Sequence, residues 1–83
     1  MEQTNEINSS LKREHVLCAN AMAFYKKSVS EFEEKYQLST KTFLKKFEAG
    51  TIGDEADYFD WYAFAKLLDR LKKTASALRS AIQ

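Results

Sequence analysis

Eighty-three residues bound this chain to one small domain, of a size that buries only about 60% of its unfolded surface and therefore holds a thin core. Thirteen basic against twelve acidic residues leave a net charge of +1, which argues against a dedicated nucleic-acid binder or a polybasic membrane-surface protein. A single cysteine, Cys18, and a single histidine, His15, exclude an internal disulfide and the ligand set of a structural zinc site, leaving oligomerisation as the expected supplement to the core.

The chain opens on Met1-Glu2-Gln3-Thr4-Asn5-Glu6, polar and acidic, unlike a signal peptide. No apolar run reaches the roughly 20 residues that a bilayer span needs, so no membrane role is expected and a cytoplasmic location is. Residues 1–8 are expected to fray, and 9–83 to form a single helical domain. Leu11, His15, Cys18, Met22, Tyr25, Val29, Phe32 and Tyr36 then recur at alternating spacings of four and three, which is a heptad seam. The pattern predicts a long helix over about 9–37, with Asn8, Ser9 or Ser10 available to cap it. Such a helix, roughly 40 Å long at 1.5 Å per residue, needs a partner face to be stable in water.

A shorter helix is predicted over about 40–49. Ser39 or Thr40 can cap its start, Phe43, Leu44 and Phe47 make its apolar face, and Gly50 stands where a left-handed C-cap belongs. After the turn Thr51-Ile52-Gly53, a second long helix is predicted over about 54–81, with a seam of Trp61, Phe64, Leu68, Leu71, Ala75, Leu78 and Ile82. Asp54 is the expected N-cap, and Asp57 three residues on completes a capping-box-like pair. Acids near the start and Lys72, Lys73 and Arg79 toward the end suit the helix dipole. The predicted fold is all-α: a long antiparallel helical hairpin with a short crossing helix, completing a helical bundle by dimerisation.

Seven aromatic residues, Tyr36, Phe43, Phe47, Tyr58, Phe59, Trp61 and Tyr62, crowd around the expected hairpin end. A two-helix seam takes Tyr36 and Trp61, and the short helix brings Phe43 and Phe47. Tyr58, Phe59 and Tyr62 then point to other faces, and Phe24 lies beside the seam rather than in it. This surplus of apolar helix surface implies a second interface, with a second copy or with a different protein.

The chain carries no recognisable catalytic constellation, and no enzyme activity or cofactor is expected. The acids Asp54, Glu55, Asp57 and Asp60 lack the alternating oxygen ligands, central glycine and terminal glutamate of a calcium loop. Helix capping and dipole compensation account for most of them, and contact with a basic partner for the remainder. His15 reads as a polar spacer at the seam. Cys18, one turn away, reads as a small buried hydrophobe, since one helix supplies neither an oxyanion hole nor a third orienting group. Two basic patches, Lys41, Lys45 and Lys46, and Lys66, Arg70, Lys72 and Lys73, lie near aromatics, as single-strand nucleic-acid binding requires. Interleaved acids such as Glu48 and Asp69 make solvated helix faces the better account.

The stretch FEEKYQLSTKTFLKKFEAGTIGDEADYFDWYA, from Phe32 onward, resembles a group of short prokaryotic proteins. These share a Lys-Tyr, a Ser or Thr, a Phe, then Phe-Glu-x-Gly-x-x-Gly-Asp and an Asp-aromatic-Phe-acid-Trp segment. They are often encoded beside a small toxin-like protein and are regarded as antitoxin-like or uncharacterised. The resemblance covers about 35 residues, and its specific part runs from Gly50 to Trp61. It implies a protein partner, a cognate toxin, and a role in neutralising it. Aromatic anchors dominate interface energies, so Tyr58, Phe59 and Tyr62 are the candidate contacts, with Asp54, Glu55, Asp57 and Asp60 steering toward a basic groove. A purely structural homodimer is the alternative expectation, and a nucleic-acid-binding module the weaker one.

Overall fold

The computed structural model describes residues 2–82, with side chains from Glu6 onward, and all of its regular structure is helical. α1 runs Glu2–Tyr36, α2 Thr40–Glu48 and α3 Ala56–Ala81. Of the expected frayed stretch, Met1 lies outside the described residues, while α1 already includes Glu2 and continues through Asn8, Ser9 and Ser10. Those three residues are therefore interior helix positions, not caps.

α1 and α3 pack as an antiparallel pair. Tyr36 meets Tyr58, Phe32 stacks on Trp61, Tyr25 meets Phe64, and the Cys18 thiol donates to the Leu71 carbonyl at 3.2 Å. Partner numbers rise along α3 as they fall along α1, and the molecule is accordingly long and thin, 56 × 21 × 17 Å. The seam spacing is what lets two straight helices keep one face together over this length.

Three local devices set the corner. α1 ends with Gln37 at φ 51°, a left-handed residue, and the Leu38 N–H reaches back to the Glu33 carbonyl at 3.2 Å. This is a helix-ending motif in which glycine is the usual occupant; here the Gln37 amide compensates in part by donating to the Glu34 carbonyl at 2.7 Å. α2 starts with Ser39 extended, its hydroxyl accepting from the Thr42 N–H at 3.2 Å, as an N-cap serine does. The Glu33 carboxylate accepts the Thr40 N–H at 2.7 Å, so α1 caps α2 as well. α2 then ends at Gly50, φ 72°, with Thr51 N–H bonded to the Lys46 carbonyl and Gly50 N–H to the Phe47 carbonyl. That pair of bonds is the Schellman arrangement that a glycine at this position permits.

The core sits at this corner. Phe43 and Trp61 are both fully buried, with ring centroids 3.9 Å apart and planes parallel within 1°. The Trp61 indole N–H, buried with them, donates to the Thr40 hydroxyl at 3.0 Å, which meets the requirement that a buried indole find an acceptor. Val29 completes this cluster, and Phe32, Tyr36, Phe47, Tyr58 and Tyr62 pack around it half-buried. Toward the other end the seam narrows to Cys18 and Ala75, both buried and both small.

Candidate partner-binding surface

The residues expected to face a partner divide in the structure. Tyr58 packs against Tyr36 at 5.1 Å and Phe43 at 5.7 Å, and Tyr62 stacks on Phe47 at 4.5 Å. Both are half-buried members of the corner, so the expectation that they point to other faces is corrected. For Tyr62 the reason is α2, whose Phe47 it stacks on, while Tyr58 lies between Tyr36 of α1 and Phe43 of α2. Phe59 is different. It touches Phe47 edge-on at 5.6 Å yet remains 57% exposed.

The acids divide too. Asp54 is not the N-cap of α3: Glu55 holds that position, in extended conformation and without a side-chain capping bond, and the helix begins at Ala56. Gly53, at φ 103°, turns the chain just before it, which places Asp54 one residue too early to reach the first free N–H groups. Asp54, Glu55 and Asp60 are exposed and take part in none of the ion pairs among the described residues. Phe59 follows Glu55 by four residues, one helical turn, so the ring and carboxylate share a face.

Asp57 belongs to the hairpin and not to a capping box. Its Oδ2 accepts from the Lys35 ammonium at 2.7 Å and from the Tyr36 hydroxyl at 2.6 Å. These two donors, the lysine first, hold its carboxyl below the ordinary aspartate value. The same carboxylate raises the pKa of Lys35, through the hydrogen bond and then its charge. It raises Tyr36 too, with burial adding to the hydrogen bond. Nothing local in the sequence marks this cluster, because its members lie 21 and 22 residues apart; only the hairpin register joins them.

A feature that the sequence pattern does not isolate is an open groove of about 410 Å³ where the three helices meet. Val29, Leu44, Ala65 and Leu68 form its floor, and Lys41 and Lys72 stand on its rim. Among the described residues no group of three or more His, Cys, Asp or Glu side chains is placed to hold a metal ion. No helix of the described residues is long and apolar enough to cross a membrane. No family model, no curated protein sequence and no solved structure matches this chain, so the functional reading rests on the chemistry of its surfaces.

Proposed function

We propose that the chain is a small, non-catalytic helical partner-binding protein of the cytoplasm that docks a basic protein through the start of α3. The observation that carries this reading is Phe59, 57% exposed on a short segment, residues 54–60, that also carries the exposed acids Asp54, Glu55 and Asp60. An aromatic ring held on a rigid corner costs little entropy when a partner covers it, and rings of this kind supply most of the energy of many interfaces. The carboxylates of that segment raise the encounter rate with a positively charged surface and disfavour acidic partners. An antitoxin-like role fits this chemistry: the corner covers a basic, RNA-handling groove on a cognate toxin. Tyr62 supports the site from beneath by stacking on Phe47, which touches Phe59, and Tyr58 packs on Phe43, which in turn meets Phe47.

Co-expression with the product of the adjacent open reading frame tests the reading. The two proteins are expected to co-purify, with Phe59→Ala weakening the complex about tenfold or more and Glu55→Lys with Asp60→Lys slowing association. Failure to bind that product sinks the antitoxin role. Binding that ignores all three substitutions moves the interface elsewhere, and salt-dependent retention of RNA or DNA by the chain alone favours the nucleic-acid alternative.

A further inference from the structure

Two basic patches in the sequence have no part in the Phe59 surface. Lys41 belongs to one, on α2, and Lys66 and Lys72 belong to the other, on α3. The fold brings these three lysines to one place, the groove of about 410 Å³ where α1, α2 and α3 meet. On its floor Val29, Ala65 and Leu68 are buried and Leu44 is half-buried, while the lysines are exposed. The apolar surface is therefore recessed, below side chains whose aliphatic stems line apolar surface and whose ammonium groups stand in water. A broad protein face does not reach into such a recess, and a slender apolar chain does. The volume falls within the range of small-molecule sites, which are mostly apolar with a few polar groups that fix orientation.

The charges select the head group. Two acids, Glu33 and Asp69, line the groove beside the three lysines, so its lining carries a formal charge of +1. Both acids are engaged within the fold: Glu33 accepts the Thr40 N–H at 2.7 Å, and Asp69 pairs with Lys73 at 3.2 Å. Lys66 pairs with Glu48 at 3.3 Å. Lys41 and Lys72 take part in none of the ion pairs among the described residues. Thr40 lines the groove too; its hydroxyl accepts the Trp61 indole N–H, and a hydroxyl that accepts still has its own proton to donate. A single negative charge on a narrow apolar body complements this lining.

We propose that this groove binds an amphipathic monocarboxylate. Its alkyl chain lies on Val29, Leu44, Ala65 and Leu68, and its carboxylate is held at the rim by Lys41 and Lys72. The floor supplies affinity in proportion to the chain it covers, and the lysines supply the preference for an anion over a neutral or cationic head. The acids of the lining reinforce that preference by count: a monoanion balances the net charge, and a dianion overshoots it. A ligand seated here touches all three helices. The groove shares no residue with the Phe59 surface and does not depend on the partner-binding reading.

A homologous series tests both halves of the site. The full chain is titrated with acetate, hexanoate, octanoate and decanoate and followed by methyl NMR. Octanoate is expected to bind saturably at about millimolar concentration, and affinity to rise about twofold with each added methylene. The methyl signals of Val29, Leu44, Ala65 and Leu68 are expected to move, and those of the exposed Ile7 and Leu17 to stay. Octanol is expected to bind more weakly than octanoate, and octylamine more weakly still. Lys41→Gln and Lys72→Gln, both at exposed positions, are each expected to weaken octanoate about threefold with unchanged helix content by circular dichroism. Phe59→Ala is expected to leave octanoate binding as it is. Acetate or octylamine binding as tightly as octanoate overturns the proposal. So do shifts confined to Ile7 and Leu17, indifference to both lysine substitutions, and the absence of any response to octanoate below micelle formation.

Discussion

The two ends of the hairpin are built from different materials. At the corner, Phe43, Trp61, Phe32, Tyr36 and Tyr58 interlock in ring-to-ring contacts, and α2 seals them. At the open end the buried seam residues are Cys18 and Ala75, which let the helices come close but bury little area each. The difference teaches where a thin core is concentrated. A chain that cannot bury much everywhere gathers its large side chains at the one place where three helices meet. The long arms depend on it, and α1 at the open end displays apolar residues on its outer side instead of enclosing them.

The strongest way to break this comparison is to remove the rings. Trp61→Ala or Phe43→Ala is expected to cost about 3–5 kcal/mol, close to the whole stability of a domain this small, whereas Leu78→Ala at the open end is expected to cost about 1–2 kcal/mol. Urea denaturation measures both, and equal losses refute the contrast.

Next in size is the Asp57 cluster, which ties α1 to α3 beside the rings. Its carboxyl pKa is lowered on folding, so its contribution is complete above the ordinary carboxylate value of about 4 and is lost as the pH falls through the lowered one. Lys35 and Tyr36 are raised, so their contributions are complete below about pH 10 and are lost as the pH rises through their raised values. Asp57→Asn is therefore expected to lower the melting temperature at pH 7, with a gap to the parent that narrows toward pH 2 and again above pH 10. A gap that does not vary with pH excludes the charge as its cause.

Smaller effects come from the joints of the corner. Gln37→Gly is expected to stabilise the fold by about 0.5–1 kcal/mol, because glycine enters the left-handed region without the Cβ penalty. Glu55→Ser supplies the capping bond that α3 lacks and is expected to gain a similar amount, about 0.5–1 kcal/mol. Asp54→Ala, one residue away, is expected to stay within about 0.5 kcal/mol. A loss near 1 kcal/mol at Asp54 in thermal denaturation restores it as the cap and moves the start of α3 back.

Much of the fold is legible in the chain because its signals are local. The two seams repeat at helical spacing, Ser39 precedes a helix whose apolar residues are three and four apart, and Gly50 is followed by a turn. The candidate site was less legible, because its residues are sorted by contacts across the hairpin. Tyr58, Phe59 and Tyr62 look alike in sequence; the position of α2 buries two of them partly and leaves Phe59 out. Asp54 and Asp57 both have the spacing of helix caps. Neither caps, because Gly53 shifts the start of α3 to Ala56 and the hairpin register gives Asp57 two donors from α1.

By itself the sequence determined the helical class, the three elements, the residues of both seams and the absence of a disulfide within these 83 residues. Periodicity, caps and composition act over a few residues and need no knowledge of the partner strand of chain. Tertiary structure alone decided which aromatic rings form the core and which one stays exposed, which carboxylate is bound and which are free, and which side of α1 remains uncovered. Those outcomes follow from register and from the seat of α2, and both are set by contacts between residues some twenty or more positions apart.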